Sequence, residues 1–233
     1  VVAKKAGSGD GVIVIGAHYD TVQGSPGADD NASGVAVLLE TARLLQKITL
    51  EKTIVFVAFA NEESPFFRTD AMGSAQFVKK ALREKMEIQM MVSLEMLGFY
   101  SDASHSQTYP PFLKYFYPDK ANFIAVVGNP ASHKQVRKMT RYFQQSEKLP
   151  VESLVAPSFV PGVDFSDQLN FWKKGIPAVM LTDTAYNRNP HYHTPNDLPR
   201  TLHYEKMSQV TRQLVYALLV MGKVIDDGRN EPL

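Results

Sequence analysis

The chain has 233 residues, 44% of them hydrophobic and 21% charged, with a formal net charge of +1; this is the balance of a globular domain with a sizeable core. That charge, with no basic tract or stacking-aromatic pattern, argues against a nucleic-acid partner. Cysteine is absent, so disulfides and thiolate metal sites are excluded, and no apolar run approaches the ~18 residues of a transmembrane helix.

Gly11–Asp20 (GVIVIGAHYD) reads as a short buried strand ending in a polar loop. A Gly/Pro/Asp-rich stretch follows from Gly24. A helix is predicted over Ser33–Lys47, where Val35, Leu38, Leu39, Ala42 and Leu45 recur at helical spacing and Ser33 lies near the N-cap. Thr53–Glu63 is a near-continuous apolar run ending in acids, the pattern of a central strand buried on both faces. A helix is predicted over Ala71–Glu84, then strands over Ile88–Glu95 and Phe123–Val127. A helix over Asn129–Glu147, a short strand within PVESLVAP, a helix over Phe165–Lys173, the strand AVMLTD and a final helix over Tyr204–Ile225 complete the chain. This alternation predicts an α/β fold, a three-layer α/β/α sandwich around a mostly parallel sheet. One domain is expected over residues 1–233.

Ligands in such sheets bind beyond the carboxyl ends of the strands. Polar residues stand at those ends: His18 and Asp20, Glu62 and Glu63, Glu95, Asp183. His18 and Asp20 form an H-x-D pair, in which imidazole is a metal ligand or merely ends a strand. Glu62 and Glu63 close a run as apolar as TIVFVAFA, where unpaired carboxylates are costly. A cation or a raised pKa would relieve that cost, as would a turn into solvent. Asp29 and Asp30 sit side by side in GADDNASG. His193 lies in NPHYHTPNDLP, with His191 as a competing candidate. Taken together, the set offers only O and N donors, which suits zinc or another first-row divalent metal. Its size suits two metals sharing a bridging carboxylate, as in hydrolytic two-metal sites.

In their order, HYD, GADDNASG, NEE, SLEMLG and YHTPND resemble the M28 family of zinc-dependent aminopeptidases, which are related to glutaminyl cyclases. The resemblance runs from about Gly11 to the last helix. It implies a phosphorylase/hydrolase-like zinc-peptidase fold and an exopeptidase acting on peptides with a free N-terminus. It implies that His18 and Glu95 hold one Zn2+, that Glu63 and His193 hold a second, and that Asp30 bridges both. Glu62 matches the general base, Asp20 the carboxylate behind His18, and Tyr192 a tyrosine that steadies the oxyanion in some relatives. A cis peptide bond at Asp30–Asn31 and a secreted or periplasmic location are also implied. Three departures stand out: Glu95 replaces the usual aspartate, Gln168 replaces a histidine after FSD, and the chain starts near the family's first central strand. No signal-peptide pattern is seen in it.

Two other readings share this resemblance. One is a single-zinc glutaminyl-peptide cyclotransferase, in whose members a tryptophan precedes the last ligand histidine, where this chain has Tyr192. The other is a receptor-like domain that has lost catalysis. The aromatic loop Gly98–Pro118 either walls a pocket for an apolar side chain or packs onto the domain. His105 and His133 are expected on the surface, Met90, Met91 and Met180 in the core, and Trp172 in helix packing.

Overall fold

The runs rich in Val, Ile and Phe form one seven-stranded sheet in the computed structural model, which describes residues 1–225. Four strands lie side by side and parallel in its centre: β2 (Val12–His18), β3 (Thr53–Phe59), β4 (Ile88–Glu95) and β7 (Ala178–Thr182). Their order is β3-β2-β4-β7, and burial on both faces accounts for their unbroken apolar sequence. Outside β3 lies β1 (Val2–Lys5), an antiparallel edge strand. It is short and ends in Lys4 and Lys5, which discourages pairing with another chain. Its polarity also hides it from a hydrophobic-pattern reading, so the central strand β2 is preceded by one more strand than expected. On the other side, β5 (Ile124–Gly128) runs antiparallel to β7, and β6 (Val151–Val155) follows β5. The starts of β5 and β6 therefore share an edge with the ends of the central strands.

Helices α1 (Gly34–Leu45), α3 (His133–Ser146) and α5 (Tyr204–Gly222) cover one face. Val37, Leu38, Phe143, Leu214 and Leu218 pack there on Ile15, Phe56, Val92 and Leu94. On the other face α2 (Gly73–Arg83) and α4 (Gln168–Trp172) cover the centre, with Val78 and Phe171 against Val14, Val57, Phe59 and Met91. Beyond α4 that face is covered by loops. A smaller cluster of Phe123, Ala125, Val127, Val163 and Met180 lies beneath them.

Two helix ends depart from the sequence reading. Ser33 is itself helical (φ −61°, ψ −46°), and its hydroxyl donates to the Asp29 carbonyl at 2.7 Å and accepts from Leu97 N–H at 2.9 Å. It ties loops together and does not cap α1. The final helix stops at Gly222 and not at Ile225, because Lys223 turns left-handed (φ 55°) and Val224 bridges back to Leu50. Met90, Met91 and Met180 are buried, and Trp172 Nε1–H donates to the Ala178 carbonyl. No described helix is long and apolar enough to cross a membrane.

Candidate metal centre and active site

Five of the side chains singled out in the sequence meet at the edge formed by the ends of the central strands. His18 ends β2 and Glu95 ends β4. His18 Nε2 lies 3.3 Å from Asp30 Oδ1 and 3.4 Å from Glu95 Oε2. The other oxygen of Asp30, Oδ2, lies 3.0 Å from His193 Nε2, which is 3.4 Å from Glu63 Oε1. Asp30 thus stands between two imidazole–carboxylate pairs. His191 stays outside, its ring edge-on to Phe99.

Backbone conformation aims these groups. Asn61, Met96 and His193 have φ of 59°, 46° and 57°, an uncommon region for residues with side chains. They directly precede Glu62, directly follow Glu95, and include one of the five themselves. The Asp30–Asn31 peptide bond is cis, as the resemblance implies. Asn31 locks that loop to β4: its Nδ2 donates to the Leu94 carbonyl at 2.8 Å, and its Oδ1 accepts from Met96 N–H at 3.0 Å.

The outer contacts differ from expectation at Asp20. His18 Nδ1–H donates to the backbone carbonyl of Asp20 at 3.0 Å, while the nearer Asp20 carboxylate oxygen is 3.8 Å away. This fixes the tautomer and leaves Nε2 free to bind a metal. The Asp20 carboxylate instead accepts from the N–H groups of Glu62 (3.2 Å) and Glu63 (3.0 Å). Its main task is to hold the turn that presents both glutamates.

Three further residues shape the site without a signal that sequence reading caught. Asp197 Oδ1 and Oδ2 accept from the N–H groups of Asp29 (2.9 Å) and Asp30 (3.1 Å), binding the His193 loop to the Asp30 loop. Ser166 Oγ donates to Glu95 Oε2 at 2.6 Å and so orients the longer acid. Asp29 accepts from Gly98 N–H at 2.8 Å and Asn189 Nδ2 at 2.7 Å, which gives the first aspartate of the pair a structural role.

The electrostatics are those of an acidic site short of positive charge. Burial alone would depress His18, but Glu95 and Asp30 outweigh it and hold its pKa well above the usual value. Burial raises Glu62 well above an ordinary glutamate; His18 opposes this, and Glu95, Asp167 and Glu63 add to it. Asp167 is fully enclosed and its carboxyl rises to about 7, chiefly through burial. Both its oxygens lack a hydrogen-bond partner of normal geometry, although Ser74 is close enough to moderate its charge. The buried atoms His18 Nε2, Asp30 Oδ1 and Glu63 Oε1 also lack hydrogen-bond partners. Orphaned buried donors and acceptors are costly. Here His18, Asp30 and Glu63 can place ligand atoms within 4.8 Å of one another, so the residues present fit a bound cation.

Comparison with known proteins accords with this geometry. The model of peptidase family M28 matches residues 1–218. The chain belongs to peptidase family M28. It is 47% identical over 222 residues to the uncharacterized protein YfbL of Escherichia coli, covering 91% of this chain and 68% of that one. Among solved structures, LapB of Legionella pneumophila superposes with a TM-score of 0.75 at 27% identity, covering 95% of this chain and 55% of LapB. The zinc aminopeptidase BSAP of Bacillus subtilis superposes with a TM-score of 0.72 at 24% identity, covering 98% and 51%. The chain thus spans about half the length of these two solved relatives. Its M28 domain is of the metallopeptidase type, with a buried His/Asp/Glu group able to bind metal.

An apolar cleft of about 830 Å³, open mouth included, adjoins the centre at Glu95 and Tyr192. Tyr109, Leu113 and Tyr117 of the aromatic loop line it, whereas Phe112, Tyr115 and Phe116 are exposed at 75%, 73% and 80%. The loop therefore does only part of the walling; Phe123, Phe165 and Tyr186 from other segments supply the rest. Tyr192 also stacks on His193, with centroids 3.7 Å apart. His105 and His133 lie on the surface.

Proposed function

We propose that this M28 domain is a zinc aminopeptidase that removes N-terminal residues from peptides with the help of two metal ions. One observation carries the reading: each oxygen of Asp30 faces its own imidazole–carboxylate pair, His18 with Glu95 and His193 with Glu63. A single-zinc cyclotransferase would need only one such pair, and a domain without catalysis would need neither. Bound zinc supplies Lewis acidity, lowering the pKa of a water and polarising the scissile carbonyl. The Glu62 carboxylate forms no hydrogen bond or ion pair among the described residues, and its raised proton affinity suits a group that must take up a proton. In this reading Glu62 removes the proton from the attacking water and delivers it to the leaving amine. The free α-amine of the substrate sits near the acidic cluster in this reading. Tyr192, held against His193, offers its hydroxyl to the developing oxyanion.

Metal analysis coupled to a panel of aminoacyl-anilides and N-blocked controls tests this. The expectation is close to two zinc ions per chain and cleavage of the unblocked substrates alone. Equal cleavage of blocked and free substrates overturns the aminopeptidase reading.

A further inference from the structure

One carboxylate in the apolar cleft has no partner. Glu152 on β6 lines it, yet makes no hydrogen bond or ion pair among the described residues. Burial raises its pKa with no opposing contribution. The neighbouring hydroxyls are committed elsewhere: Tyr109 donates to the Pro118 carbonyl and Tyr117 to the Ser153 carbonyl. Arg188, behind the wall, donates to Gln107 Oε1 at 2.9 Å and to the Phe123 carbonyl at 2.8 Å; its Nη2 has no hydrogen-bond partner, and none of its bonds reaches Glu152.

The register of the sheet fixes where this charge stands. Glu95 pairs with Thr182, Thr182 with Ala125, and Ala125 with Glu152. Paired residues point to the same face, and all four line the cleft. Glu95, at the metal centre, and Glu152 therefore occupy the two ends of one row, three strand spacings apart. At ~4.8 Å per spacing the row is ~14 Å long. An extended lysine spans roughly 6 Å from Cα to Nζ, and contact distances of about 3–4 Å at each end bring the total close to that length. Aromatic rings wall the space between and favour a cation on their faces.

We infer that the cleft selects a basic N-terminal residue, lysine or arginine, whose aliphatic stem lies along the aromatic walls and whose charge meets Glu152. This rests on the aminopeptidase reading. A neutral side chain of the same shape fills the walls equally well but leaves a half-buried carboxylate unpaired.

Lysyl and norleucyl p-nitroanilides, which differ at the side-chain end, separate these cases with the zinc-loaded protein. The lysyl substrate is expected to have the higher kcat/KM by about tenfold, and E152Q to bring the ratio close to one. A wild-type ratio of one or less overturns the inference, as does an unchanged ratio in E152Q; either leaves the aminopeptidase reading standing. Calorimetric binding of L-lysinamide against L-norleucinamide needs no turnover. If no anilide is cleaved but lysinamide binds more tightly in a Glu152-dependent way, the pocket assignment stands and the aminopeptidase reading falls. Equal binding of the two amides without cleavage removes both.

Discussion

Adjacent aspartates have opposite proton affinities in this chain. Burial would raise Asp30, but the imidazoles of His18 and His193 facing its two oxygens outweigh it and hold its pKa at about 2. Asp29, equally buried but without an imidazole beside it, rises to about 6. One is placed to face cations and the other to organise backbone. Glu62 and Glu63 divide by position: Glu63 faces His193 at 3.4 Å, whereas the Glu62 carboxylate pairs with neither imidazole. E62Q is expected to lower kcat by at least about a thousandfold, near the upper part of the range for acid–base groups, while metal content by elemental analysis stays at the wild-type value. Asp167 gives a pH test in the metal-free protein. Its folded pKa of about 7 lies above the ordinary 3.8, so between these values the native state holds more protons than the unfolded chain. Stability contributed by this group is then lost as pH rises from about 4 to 7. D167N escapes that loss, so in chelator its melting temperature should gain on wild type across this window. A gain that does not grow with pH would refute the assignment.

At the scale of elements, the site is a set of loops pinned by single side chains. Asp197 accepts two N–H groups from the Asp29–Asp30 turn, and Asn31 clamps the same turn to β4. D197A removes both acceptors and leaves two buried N–H groups unpaired, at about 1–3 kcal/mol each. Zinc affinity, read by competition with a chromogenic chelator, is expected to fall about 10–100-fold, as for other groups that orient ligands. The helices are more tolerant. Phe143 on α3 and Phe171 on α4 are both 0% exposed, so truncating either to alanine should cost about 3–5 kcal/mol in denaturant titrations. At this scale much was legible in the sequence. The central strands declare themselves by unbroken apolar runs. The edge strand β1 does not, since half its pattern is lysine and its partner lies some fifty residues away.

For the whole molecule, the acidic cluster couples folding to metal. Several carboxylates are buried close together with few cations, and a ligand that binds only the folded state stabilises it by mass action. Chelation should lower the melting temperature by at least about 5 °C, given ~2–4 °C per kcal/mol for a domain of this size, and zinc should restore it. An unchanged melting curve would indicate that the cluster is satisfied without a cation. The sheet also builds the substrate cleft. Because β5 and β6 run against the central strands, their first residues reach the active edge, and among the described residues no α-helix covers that part of the face.

The resemblance to family M28 picked out the five side chains that meet at the sheet edge; the sequence by itself determined the fold class and the central strands. Local patterning carries those signals: apolar runs set the strands, and chemistry collects where parallel strands stop. Only the tertiary structure decided how the side chains combine. The carbonyl, and not the carboxylate, of Asp20 steers His18. Asp29 and Asp197 acquired roles through contacts to distant segments, which no spacing records. Glu152 met Glu95 on one row only because the sheet places β7 and β5 between their strands. Strand order is set by long-range packing and pairing, so it is not written in any stretch of the chain that can be read alone.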